Sequence, residues 1–362
     1  MTGMVTGADQ PRFDPTIDPL ARFAPRPMVQ VPVTGMERPR FPVIDAHNHL
    51  GRWLSGHWMI DDVDELVGRM DRLNVELVVN LDGRWGAELE ANLDRYDRAH
   101  PGRFATFGHV DWSLLATADG DDGSVLVDQV EAAVAAGAKG LKIWKDLGLG
   151  VRDVDGELVR PDDDRVIEVV QAAGRAGIPV LVHCADPKAF FEPLDRTNER
   201  IEELAAHPDW WFGADGLPTF DELLAAFERL VAACPDATII GAHVGNCAED
   251  LSLVGRMLNR HDNYLIDLGA RMAELGRQPR AARRLMLEHG DRILFGTDAF
   301  PLTDQQLRLW FRFLETDDEC FDYAPEREVP PQGRWTVSAL DLPDDVLARI
   351  YHANARRVLG VG

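Results

Sequence analysis

The chain has 362 residues, with 38 Lys+Arg against 61 Asp+Glu and a formal charge of −23. That balance excludes the usual nucleic-acid binder and disfavours an anionic membrane surface, because both partners select clustered Lys and Arg. Hydrophobic residues make up 45% and aromatics 8%, enough for a large core, so global disorder is excluded as well.

Residues 1–40 carry Pro11, Pro15, Pro19, Pro25, Pro27, Pro32 and Pro39 with little apolar periodicity, which rules out a helix or ladder of any length. An extended arm is expected. It either wraps the domain, reaches a neighbouring subunit of a homo-oligomer, or trails as a disordered tail. The opening MTGMVTGADQ lacks the basic and apolar segments of a secretion signal, and no run approaches the ~20 apolar residues of a membrane helix. Cys184, Cys234, Cys247 and Cys320 lie far apart and read as free thiols, so a cytoplasmic protein is expected.

From residue 41 short apolar runs alternate with amphipathic stretches. Strands are predicted at 42–49, 76–81, 104–110, 140–145, 178–183, 237–243, 263–269 and 292–298. Helical patterns between them include 63–73, 125–136, 165–176, 220–233 and 280–289. "AAGAKG" and "RAGIPV" place a glycine where a helix stops, and "LPDDVLARIYHANARRVLG" puts Pro343 in the first turn of a closing helix. Eight β/α alternations predict a closed (β/α)8 TIM barrel over 41–362 with a Pro-rich N-terminal arm. The rival open sheet lacks a GxGxxG turn.

Two connections, 184–218 and 299–341, follow strands and so fall on the catalytic face of such a barrel. Their aromatic rings either form small cores of their own or roof a pocket. "VRDVDGELVR" reads as a hairpin turning at Asp155-Gly156. The acid clusters at 119–122, 162–164 and 316–319 lack the spacing of a calcium loop and read as solvated charge.

The chemistry concentrates at strand ends. In "VIDAHNHLG" the two-residue spacing sends His47 and His49 to the same side, into the barrel near its carboxyl end. "IPVLVHCAD" ends in His183, "ATIIGAHVG" in His243 and "RILFGTDAF" in Asp298, with Leu181, Gly241 and Gly296 one pleat below. Ionisable groups above small or apolar ones, in register on several strands, point to a metal site. Asp45 shares the parity of His47 and reads as a barrel-floor or supporting residue. His57, His100, His109, His207, His261, His289 and His352 have no comparable setting.

These residues, with the closing "IYHANARRVLG", resemble the amidohydrolase superfamily of metal-dependent barrels, in particular the group that includes aminocarboxymuconate semialdehyde decarboxylase. The resemblance covers about 41–362 and implies one divalent ion held by His47, His49, His183 and Asp298, with His243 unligated as the acid/base residue. Zinc suits that donor set best, and manganese or iron also fit. Asp298 is expected either to ligate or to accept a proton from bound water. Some superfamily members bridge two metals with a carboxylated lysine on strand four, where Lys142 and Lys145 stand. The alternative is an anion-binding or structural ammonium. Lys142 is expected one pleat deep with Trp144 at the rim, and Lys145 is expected to point away. Arg271 is expected to clamp a substrate carboxylate unless it pairs with Glu274 or Asp267, and Arg52 and Trp53 to line the rim. The resulting expectation is hydrolysis of a small carboxylate-bearing amide, ester or lactone by metal-activated water. The alternative is non-oxidative decarboxylation of an aromatic or muconate-type acid.

Overall fold

The computed structural model describes residues 28–117, 122–300 and 302–361. Arm residues 1–27 and cluster positions 119–121 lie outside the described residues. Eight parallel strands stand in sequence order: β1 (Val43–Asn48), β2 (Val75–Asn80), β3 (Phe104–Gly108), β4 (Gly140–Ile143), β5 (Val180–Val182), β6 (Ile239–Gly241), β7 (Tyr264–Asp267) and β8 (Ile293–Leu294). The last strand returns to the first, because the Ala46 amide donates to Phe295 O at 2.9 Å and the Asp298 amide to His47 O at 2.8 Å. The expected TIM barrel is therefore present.

Two apolar layers hold it. Ile44, Val79, Phe107, Leu181, Ile240, Leu265 and Leu294 fill the interior, and Ala355, Val358 and Leu359 of the closing helix Asn354–Leu359 join them from below. The outer layer packs strands on helices whose ends are well specified. Asp62 caps Val63–Arg72, which carries acids in its first turn and arginines in its last, matching the helix dipole. A Thr219/Glu222 capping box starts Phe220–Ala233, which buries Leu223, Phe227, Leu230 and Val231 at helical spacing. Gly137 and Gly177 stop their helices in the left-handed region as expected, at φ 114 and 72.

Some expectations require correction. β5, β6 and β8 are shorter than expected, ending at Val182, Gly241 and Leu294. The connection 299–341 contains a helix, Asp304–Glu315, begun by a Thr303/Gln306 capping box. Trp310, Phe311 and Phe313 are its buried face, so most of that ring cluster is core. Pro343 stands at the cap of Asp344–Ala348, just before the first turn. The hairpin at Gly156 forms, with Arg152 bridged to Leu158. Arm residues 28–40 lie along their own barrel: Thr34 donates its amide and hydroxyl to Asp318, each at 2.8 Å, and Arg40 reaches Asp344 at 2.9 Å. All four cysteines are free. Among the described residues no helix is long and apolar enough to cross a membrane.

Asn354 ties the closing helix to the barrel floor, its Nδ2 donating to Gly290 O and Ile293 O, both at 2.8 Å. Asn354→Ala leaves two buried carbonyls without this donor and is expected to lower stability by about 1–3 kcal/mol. Urea unfolding checks this through a lower midpoint at unchanged slope; an unaltered midpoint contradicts the latch.

Candidate metal centre

The pairing of β1 with β2 shifts register between Asp45 and Asn48. Past that irregularity His47 and His49 both face the mouth, as expected. His47 Nδ1 lies 2.8 Å from Asp267 Oδ2 and His49 Nδ1 lies 2.7 Å from Asp82 Oδ1. A carboxylate at Nδ1 holds the proton there and turns the Nε2 lone pair outward, the tautomer a metal ligand needs. His243 Nδ1 donates to Gly269 O at 2.9 Å.

Asp298 sits among these rings. One oxygen is 3.6 Å from His47 Nε2 and 3.3 Å from His49 Nε2, and the other is 3.9 Å from His243 Nδ1. Donor atoms of His47, His243 and Asp298 all lie within 4.8 Å of one another. The His183 ring is 4.3 Å from that of His243, and its Nε2 is 3.4 Å from Asp186 Oδ1. His47 Nε2 and both nitrogens of His183 are buried without a hydrogen-bond partner. Orphaned imidazole lone pairs around a carboxylate are costly unless a cation takes them, so this donor set fits a divalent ion.

The charge states of Asp298, His183 and His243 agree with that fit, whereas His49 would have to give up a proton to hold a cation. Burial opposes ionisation of Asp298, but His47, His49 and His243 outweigh it and hold the carboxyl well below its ordinary range. Burial pushes His183 down to about 3 despite Asp186, and burial with His183, Arg271 and His47 nearby keeps His243 neutral. For His49 burial is overcome by Asp82 and Asp298, which raise it to about 9.

Strict alternation does not account for His243. Ile240 and Ala242 pack in the barrel interior, so Gly241 and His243 would face outward if the strand continued. Instead His243 and Val244 take left-handed conformations at φ 56 and 60, swinging the imidazole into the mouth. Ala270 and Asp298 are left-handed too, at φ 56 and 54. Each such residue costs on the order of 1–3 kcal/mol. Asp267 stabilises the arrangement, its Oδ1 accepting from the amides of His243 and Gly269 at 2.9 Å each.

The remaining candidates separate. Lys142 is buried one pleat deep with its Nζ unpartnered, 5.3 Å from the Trp144 ring, and burial lowers it to about 8. Trp144 stands edge-on to His49 and His183, each at 5.6 Å. Lys145 does not simply point away: it pairs with Asp186 beneath Trp210 and Phe212. Among the described residues the Arg271 side chain hydrogen-bonds Ala270 O alone, at 3.3 Å, while Glu274 is taken by Arg200 and Asp267 by His47. Arg52 is exposed and bound to Glu88 through both Nε and Nη2. Asp45 accepts from the amides of His47 and Thr297, the Thr297 hydroxyl and Asn48, a supporting role. Of the long-connection rings, Phe300 alone meets a site histidine, 5.7 Å from His49. The sequence reading missed Asp82 and Asp186 and gave Asp267 no metal-site role. An acid at or just past the carboxyl end of a strand was the available signal, in "NLDG", "HCAD" and "LIDLG".

Asp267→Asn keeps the volume but removes the anion that sets the His47 tautomer. It is expected to weaken divalent-metal affinity about 10–100-fold with an unchanged far-ultraviolet spectrum. Gly296→Ala, whose new Cβ would come within 2.8 Å of His47 Cβ, should also lose affinity. Competition with a chromogenic chelator measures both, and wild-type affinity in either variant contradicts the assignment.

No curated protein matches this sequence. Many solved structures share the fold, three of them as follows. A 2,6-dihydroxybenzoate decarboxylase from Rhizobium is 15% identical with a TM-score of 0.58, covering 89% of this chain and 99% of that one. A 5-carboxyvanillate decarboxylase from Sphingomonas paucimobilis is 14% identical with a TM-score of 0.53, covering 89% and 100%. A dihydroxybenzoic acid decarboxylase from Polaromonas sp. JS666, with bound manganese and 2-nitroresorcinol, is 14% identical with a TM-score of 0.57, covering 89% and 97%. These activities are decarboxylations, and they overturn the expectation of amide, ester or lactone hydrolysis. The physical reason is that barrels of this kind retain the metal while their loops select the reaction, so a ligand set read from strands does not single out hydrolysis. The amidohydrolase family model matches residues 44–361, and the chain belongs to that family.

Proposed function

We propose that the protein is a divalent-metal-dependent, non-oxidative decarboxylase of a small aromatic acid. The observation that carries this reading is the surround of the centre: Trp144 and Phe300 each pack near-perpendicular to the His49 ring, Lys142 lies 5.3 Å from the Trp144 ring, and among the described residues neither Lys142 nor Arg271 has an ion-pair partner. Aromatic edges suit the face of an arene, and the two cations suit its carboxylate. The activities of the fold neighbours support the same reaction.

In this reaction the bond between ring carbon and carboxylate breaks, carbon dioxide leaves, and the electron pair left on the ring carbon takes a proton. A divalent ion at His47, His49, His183 and Asp298 would supply a Lewis acid that holds the substrate's oxygens and draws off charge. Manganese is the metal to test first, given the Polaromonas neighbour. Arg271 and Lys142 offset the carboxylate's charge, and Trp144 with Phe300 limits access of water to the ring. Gly269 anchors His243 through Nδ1, which leaves Nε2 free to pass the proton, and Asp298 beside it is the second carrier.

Manganese-loaded protein is expected to release carbon dioxide from at least one of a panel of hydroxylated benzoates. Chelation should abolish release and added manganese restore it. His243→Asn is expected to lower kcat about 10²-fold or more with metal content unchanged. Carbon dioxide detection over the whole panel is the measurement, and silence from the metal-loaded enzyme would count against the reaction.

A further inference from the structure

Immediately beyond β2 the chain supplies two charged groups, of which the metal centre uses only one. Asp82 turns inward to His49, and Arg84 turns to a groove of about 420 Å³ lined by Arg52, Trp53, Gly56, Arg84, Trp85 and Glu88. The turn between them is rigid: the Gly83 amide donates to Phe107 O, and a Cβ on Gly83 would come within 2.2 Å of that oxygen. Arg84 itself is left-handed at φ 58, with its carbonyl accepting from the His109 amide at 2.8 Å. An arginine in that conformation is strained, so the fold holds this side chain in place at a cost.

The guanidinium carbon lies over two indoles, 4.4 Å from the Trp53 ring centroid and 4.0 Å from that of Trp85. Stacking occupies its faces, whereas its N–H donors lie in the plane at its edge. Among the described residues none of those donors has a hydrogen-bond or ion-pair partner. The nearest carboxylates, Asp111, Asp146, Asp82 and Glu88, act on it only through space. Arg52 on the same groove is neutralised by Glu88, so Arg84 is the unmatched charge. One aromatic wall links the groove to the metal centre, since Trp53 packs near-perpendicular to Trp144 at 5.1 Å and Trp144 packs in the same way on His49 and His183.

We propose that Arg84, lying over Trp53 and Trp85, binds a second anionic group of the substrate, so that the preferred substrate is an aromatic acid carrying a further carboxylate away from the reacting one. This inference rests on the decarboxylase reading for the reacting end, but Arg84's part in binding is separable from it. A planar guanidinium with free in-plane donors matches a carboxylate in two-point geometry, and the indoles keep it oriented. The groove's size suits one end of a small ligand.

The test compares 5-carboxyvanillate, which has two carboxylates, with 2,6-dihydroxybenzoate, which has one, by tryptophan fluorescence titration of the manganese-loaded wild type, Arg84→Met, Arg84→Lys and Trp85→Leu. Wild type should bind the dicarboxylate more tightly. Arg84→Met should weaken it about 10–100-fold while changing the monocarboxylate less than about twofold, which also shows that the variant is folded. Arg84→Lys should recover part of the loss, and Trp85→Leu should give a smaller loss in the same direction. Where turnover is seen, the Arg84→Met defect should appear in KM with kcat nearly unchanged. Equal losses for both acids, no loss for the dicarboxylate, or no binding of either acid by wild type overturns the proposal. Selective binding without carbon dioxide release keeps Arg84's role and removes the decarboxylase reading; release with Arg84→Met unaffected does the reverse.

Discussion

The bond between Asp267 and His47 is the constraint on which the centre depends. One carboxylate at the end of β7 orients an imidazole of β1 and, through its other oxygen, accepts the amides of His243 and Gly269. Three chain segments that meet only because the barrel closes are thereby held together. The strained backbone at His243 and Val244 persists because this anion and the surrounding packing over-determine it. Gly269 takes part through what it lacks, since a side chain there would meet His47 Nδ1 at 2.9 Å.

Charge inside the barrel is arranged by pairing rather than by solvent. Asp82 and Asp267 each neutralise one imidazole's proton, while Asp298 is held ionised by three rings around it. His183 and His243 stay neutral because burial makes a positive charge there unfavourable. The neutral rings of His183 and His243 add donors beside one carboxylate with little repulsion between them. This suits a cation, which would take the nitrogens of His47 and His183 that have no hydrogen-bond partner.

The net charge of −23 describes the outer shell and opposes an anionic ligand at long range. Near the mouth the balance reverses locally. Arg271, Lys142 and Arg84 have no ion-pair partner among the described residues, whereas Arg52, Lys145 and Arg200 do. Lys142 lies beside the Trp144 ring and Arg84 beside the rings of Trp53 and Trp85, so positive charge and aromatic surface adjoin there.

The barrel, its catalytic face and the identities of His47, His49, His183, His243 and Asp298 were legible in the sequence, because hydrophobic runs ending in polar residues encode strand, direction and depth at once. The length and position of the two long connections were legible as well, though the helix Asp304–Glu315 was hidden in one of them despite its Thr-x-x-Gln cap. Pairings between distant segments were not legible: Asp267 with His47, Asp82 with His49, Lys145 with Asp186, and Arg84 with Trp53 and Trp85. Nor was the left-handed turn that brings His243 to the mouth against the parity of its strand. Local pattern specifies which face a residue takes within one element, but a partner 220 positions away is chosen only when the barrel closes and brings strand ends together. The sequence alone thus determined which histidines and which aspartate stand at the strand ends, and the tertiary structure decided their hydrogen-bond partners, their charges and which cations have no ion-pair partner among the described residues.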